Sequence, residues 1–106
     1  MNDTKWSDSE KKAARRAYEA AFARECGSLI VKLKEHVARA SEPTDLWEIH
    51  DFLSAARKEI DDKYDYRYSM LIWVFTRLMR EGWLTEDDLK GLKQDKVDEI
   101  KMLASR

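Results

Sequence analysis

DLWEIHDFLSAARKEIDDKYDYR, residues 45–67, decides how the rest of the chain is read. At about 100° per residue, Leu46, Ile49, Phe52, Leu53, Ala56, Ile60 and Tyr64 fall on one stripe of a helix, an ordinary apolar face. Glu48, Ala55, Glu59 and Asp62 fall opposite, toward water. Between these flanks lies a third face made of Trp47, His50, Asp51, Ser54, Arg57 and Asp61, again at helical spacing. An indole, an imidazole, carboxylates and a guanidinium side by side have the composition of an interface hot spot, so this face is read as a contact surface. Asp51 and Arg57 are six residues apart, about 9 Å along the axis and far round the helix, and do not pair within it. They pair across a two-fold axis if two copies of the helix cross antiparallel near the small Ser54, which gives a self-complementary homodimer.

The preceding segment, from a Ser7/Glu10 capping box to about Ala40, reads as one long helix. Its apolar residues Tyr18, Phe22, Cys26, Leu29, Leu33, Val37 and Ala40 form a narrow seam longer than the second helix can cover. Gly27 marks a position where a bend is expected, and residues 1–6 read as polar and frayed. Pro43 breaks the pattern, and Thr44 or Asp45 with Glu48 is expected to cap the second helix. A break is expected near residue 64, in the tract DDKYDYRY, which is poor in strong helix formers. MLIWVFTRLM, residues 70–79, is apolar nearly all round and reads as a buried third helix. Gly82 suits a left-handed cap, Thr85 with Asp88 opens a short helix, and Asp95 opens another toward the C-terminus.

The expected fold is therefore all-α: a single domain over 1–106, with stalk helices in 1–64 and a small head in 65–106, assembled as an antiparallel homodimer. Composition agrees, since 39% of the 106 residues are charged and the chain holds only three Gly and one Pro. Residues 1–40 carry 9 Lys/Arg against 6 Asp/Glu, and residues 41–106 carry 11 against 15. That asymmetry is too weak for a nucleic-acid footprint. The lone Cys26 allows no intramolecular disulfide and is read as a small hydrophobe on the seam; together with the lack of a signal-peptide core or a membrane-length apolar run, it points to a cytoplasmic protein. Cys26, His36 and His50 do not have the spacing of a metal site, and no phosphate loop or activated nucleophile is visible. No metal, no cofactor and no enzymatic activity are expected.

On Asp45-Leu46-Trp47, His50 to Ala55, Arg57, Glu59-Ile60-Asp61 and Lys63-Tyr64-Asp65, and onward through Asp95-Lys96, the chain resembles the fluorescence recovery protein family of cyanobacteria over about its last two-thirds. The resemblance implies a helical dimer with a stalk and a head. It also implies a regulatory partner: the photoactivated orange carotenoid protein, bound through its C-terminal domain, returned to the inactive orange form and detached from the phycobilisome. Carried over by position, the activity patch is Trp47, His50, Asp51 and Arg57. In the head, Trp73 stands where the family has a phenylalanine and Glu99 where it has a lysine. The alternative is a dimeric scaffold of the same fold with a different client.

Overall fold

The structure, a computed structural model, describes residues 5–106. Four α-helices and one 3-10 turn make up the described residues: α1 Asp8–Arg39, α2 Pro43–Lys63, α3 Leu71–Arg80, the 3-10 turn Glu86–Leu89, and α4 Gln94–Ala104. The molecule is elongated, 53 × 28 × 23 Å, because α1 runs almost its whole length. At 1.5 Å per residue a helix of 32 residues is about 48 Å long. Gly27 lies within it, and a side chain added there would meet nothing within 4 Å.

The start of α1 is set by Ser7, whose Oγ accepts from the Glu10 backbone N–H (3.2 Å) while the Ser7 N–H donates to Glu10 Oε1 (3.1 Å). The face that follows is buried through alanine: Ala13, Ala14, Ala17 and Ala21 are sealed under the head. Small side chains let backbone approach closely, and the chain at Gly91 uses this. Gly91 has φ +101°, and a Cβ there would stand 2.7 Å from Ala13 Cβ. Arg16 Nη2 donates to the Lys90 carbonyl (2.7 Å), and Arg24 holds Asp88 through two hydrogen bonds (2.7 and 3.0 Å).

The first half of α1 is thus a wall of the head, and only its second half pairs with α2 as a stalk. The seam read from sequence runs beside the face that α1 buries in its first half, since Tyr18 and Phe22 flank the alanines and the large side chains drew the reading toward themselves. Trp6 is a second correction. It is buried against the core with Lys96 Nζ 5.0 Å from its ring centroid, and does not fray; residues 1–4 lie outside the described residues.

α2 ends at Lys63, where the break was expected. Its start differs: Pro43 occupies the first turn, where its missing N–H is no loss, and Glu42 is the cap. Asp45 Oδ2 accepts from the backbone N–H groups of Ser41 and Glu42, both at 2.9 Å, which holds its carboxyl below the usual range. Residues 64–70 then run back along α1. The rings of Phe22, Tyr64, Tyr18, Tyr66, Tyr68 and Trp6 follow one another at centroid separations of 4.7–5.9 Å.

α3 and α4 close the head around Leu71, Phe75, Leu78, Leu89 and Ile100, all fully buried. Gly82 adopts φ +89°, and the N–H groups of Trp83 and Leu84 return to the Leu78 carbonyl, so the expected left-handed cap is present. Thr85 and Asp88 form their box around a 3-10 turn, and Lys93 rather than Asp95 caps α4. In the first turn of α1, Glu10 sits at 1% exposure between the Lys93 N–H (2.9 Å) and Lys96 Nζ (3.0 Å). Among the described residues no helix is long and apolar enough to cross a membrane.

Candidate functional site: the outer face of the second helix

α2 projects Trp47, His50, Asp51, Ser54, Arg57 and Asp61 from one side, and all six are exposed. Among the described residues Trp47, at 61% exposure, is the most open of the large hydrophobic side chains. Along the face, His50 Nδ1 lies 3.3 Å from Asp51 Oδ1, and Arg57 Nε donates to both oxygens of Asp61 at 3.1 and 3.2 Å. Asp51 and Arg57 do not pair in the single chain, as their spacing required. The face is therefore a row of aligned charges beside an indole, held on a rigid helix.

The apolar stripe next to it is only half covered. Ile60 is buried and Ile49, Phe52 and Ala56 are partly so, but Leu46 and Leu53 are open. Across the stalk Phe22, Ile30, Val31 and Val37 of α1 are open as well. Both helices of the hairpin thus leave large apolar side chains open.

At the base of the stalk lies a polar cluster that sequence reasoning missed. Lys63, fully buried, donates to Glu25 Oε2 (2.5 Å) and Glu81 Oε1 (2.6 Å). Tyr64 donates its hydroxyl to Glu25 Oε1 (2.9 Å), and Trp83 Nε1 donates to Glu81 (3.2 Å). Arg77 bridges Glu81 (2.9 Å) and Glu59 (3.2 Å), so α1, α2, α3 and the following turn meet in one network. Burial opposes the charged form of Lys63, but the two carboxylates outweigh it and the ammonium is held above its usual range. The same burial and the Glu25 charge push the Tyr64 hydroxyl up. Glu59 was read as a plain solvent position; its bridge to Arg77 ties the stalk to the head. The missed signal was phase: at about 100° per residue Lys63 falls between Phe52 and Ala56, within about 20° of each, and a lysine inside an apolar stripe is a buried-pair signature.

Beside this cluster is an open groove of about 490 Å³, with Leu29, Phe52, Ala56, Ile60 and Trp83 on its apolar floor. The two head positions are both on the surface. Trp73, 58% exposed, borders a second groove of about 350 Å³ with Arg77, Arg80, Leu103 and Arg106, whereas Glu99 on α4 is exposed and lines neither groove. Cys26 is half-buried, and burial with the neighbouring Glu25 charge raises its thiol, so it is poorly disposed to act as a nucleophile. His36 packs on Phe52 with ring centroids 4.7 Å apart. Among the described residues no three His, Cys, Asp or Glu side chains are grouped to hold a metal ion.

Comparison with known proteins agrees over nearly all of the chain. The family model for the photoprotection regulator fluorescence recovery protein matches residues 6–104. The fluorescence recovery protein of Synechocystis is 40% identical over 99 residues, 93% of this chain and 91% of that protein. The solved structure of the Fremyella diplosiphon fluorescence recovery protein superposes with a TM-score of 0.88 at 46% identity, covering 96% of this chain and 100% of that one. That of the Synechocystis protein also gives 0.88, at 39% identity with the same coverage. With the helical order, the stalk and the head all matched, the chain belongs to the fluorescence recovery protein family of photoprotection regulators.

Proposed function

We propose that the chain acts as a non-enzymatic regulator that binds the photoactivated orange carotenoid protein, through that protein's C-terminal domain, and speeds its return to the orange form. By this reading it also helps detach the carotenoid protein from the phycobilisome, and it works in the cytoplasm as an antiparallel homodimer. The observation that carries the proposal is the bare outer side of the stalk, where Trp47, at 61% exposure, stands in line with His50, Asp51 and Arg57. Crossing two stalks near Ser54 would cover Leu46 and Leu53 and set Asp51 of each chain against Arg57 of the other. Trp47, on the same face but about 10 Å along the axis from the crossing point, stands toward the end of that contact and is the anchor proposed for a client. Trp73 and Glu99 would be secondary contacts from the head.

A binder speeds a conformational return only if it holds the barrier more tightly than the activated form it starts from, and weaker affinity for the dark form then releases it for another round. The test follows carotenoid absorbance in the dark after illumination, with and without the protein. Acceleration is expected, is lost in Trp47→Ala, and is kept in Glu48→Ala on the water-facing flank of α2, about 100° round the helix from Trp47. Recovery unchanged by the wild-type chain across several carotenoid proteins refutes the reading and leaves a dimeric scaffold with another client.

A further inference from the structure

The N-terminal part of α1 carries a feature that the stalk patch does not explain. Lys11 and Arg15, one helical turn apart, both turn onto tyrosines of the 64–70 segment. Arg15 Cζ lies 3.8 Å from the Tyr66 ring centroid and 5.8 Å from that of Tyr18, and Lys11 Nζ lies 5.2 Å from that of Tyr68. Among the described residues neither cation makes an ion pair, although Glu19 stands one turn beyond Arg15, at a spacing where helical pairs commonly form. The nearby Asp65 is engaged, its oxygens taken by Arg67 at 2.8 and 2.5 Å.

A guanidinium whose carbon sits 3.8 Å over a ring centroid has its position restricted, and the Arg15 N–H groups donate to no acceptor among the described residues, which leaves them available for bidentate capture of a carboxylate. Lys11 and Arg15 remain exposed, and the Tyr68 ring beside them is 36% exposed, offering an apolar edge. Lys12 and Arg16 flank the pair, and Arg16 is spent on the Lys90 carbonyl. The surface is thus basic and aromatic with its cations held in place.

We infer that Lys11, Arg15 and Tyr68 form a second docking site, on the head, for an acidic helix of a partner protein that presents two carboxylates four residues apart. The spacing selects this occupant. Residues four apart on a helix rise about 6 Å, so two carboxylates at that interval on a neighbouring helix stand in register with Lys11 and Arg15. The site lies on the head and does not depend on the carotenoid-protein reading.

The experiment titrates the full chain with an alanine-based helical peptide of ~16 residues bearing two glutamates four apart, followed by NMR of backbone amides and tyrosine rings. Saturable shifts centred on Lys11, Arg15, Tyr66 and Tyr68 are expected. A peptide of the same composition with its glutamates two apart, on different helix faces, should bind roughly fivefold more weakly. Replacing both cations, Lys11→Gln with Arg15→Gln, should cost about tenfold in affinity, the equivalent of one charge-assisted pair. Glu19→Gln, which removes a competing carboxylate, should tighten binding. Glutamine is a good helix former and these side chains are exposed, so unchanged circular dichroism is expected of each variant. The proposal is overturned by absent shifts at millimolar peptide, by equal binding of the two peptides, by full affinity in the double variant, or by pyrophosphate reproducing the shifts at equal charge.

Discussion

Replacing Glu10 with glutamine tests how the head is closed. The Glu10 carboxylate is buried, which opposes its charge, yet it accepts from the Lys93 and Ser7 N–H groups and faces the Lys96 ammonium. The donors win, and its pKa falls from 4.5 to about 2. A shift of that size corresponds to about 3 kcal/mol of stability that is present only when the group is charged in the fold. Because the folded pKa is the lower one, this stability is complete above the unfolded value and drains away as pH falls toward 2. Glutamine keeps the shape, loses the charge, and turns an amide N–H₂ toward Lys96. Urea unfolding followed by helical circular dichroism, at fixed protein concentration, should give a variant less stable by about 3 kcal/mol at neutral pH. The gap should close as the wild type is acidified through the range between 4.5 and about 2. Some acid sensitivity should persist in the variant, because Asp88, paired with Arg24, is also lowered to about 2. A variant as stable as wild type at neutral pH, or a gap independent of pH, refutes the reasoning.

Lys63→Met should destabilise by roughly 3 kcal/mol in the same assay, because Glu25 would be left buried without its cation, while the more exposed Glu81 keeps Arg77. Gly91→Ala combines a positive φ with a 2.7 Å approach to Ala13 and should cost roughly 2–4 kcal/mol, read as a lower melting temperature. Light scattering of the wild type should give twice the chain mass of 12.5 kDa. Arg57→Glu should shift the protein toward monomer, and adding Asp51→Arg should partly restore the dimer; no rescue would argue against that pairing.

The helices were legible because their signals are local. The Ser7/Glu10 box, the glycine at position 82 and the helical spacing of the α2 faces each lie within a few residues, and each appears in the structure where the spacing puts it. The exposed face of α2 was legible for the same reason. What sequence could not give were contacts between residues far apart. Nothing near Glu25 announces Lys63 or Glu81, and nothing near Glu10 announces Lys96; only their position inside otherwise apolar stripes hints at burial. The alanine face of α1 was overlooked because its value lies in closeness of approach, which a scale of side-chain hydrophobicity does not measure. Pro43 was taken as a breaker, whereas the first turn of a helix accepts it.

The closure of the head by residues from opposite ends of the chain sets an order of assembly. His36 and Phe52, which join α1 to α2, are 16 residues apart, whereas the Glu10 contacts with Lys93 and Lys96 span 83 and 86. Since the entropy of closing a loop grows with the logarithm of its length, bringing Glu10 to Lys96 costs roughly 1.5 kcal/mol more than bringing His36 to Phe52. Contacts across the hairpin shorten the remaining loop, and the path of least entropic resistance runs from the stalk outward. The outer face of α2 is then built on the segment that organises first, and Glu10 meets Lys96 last.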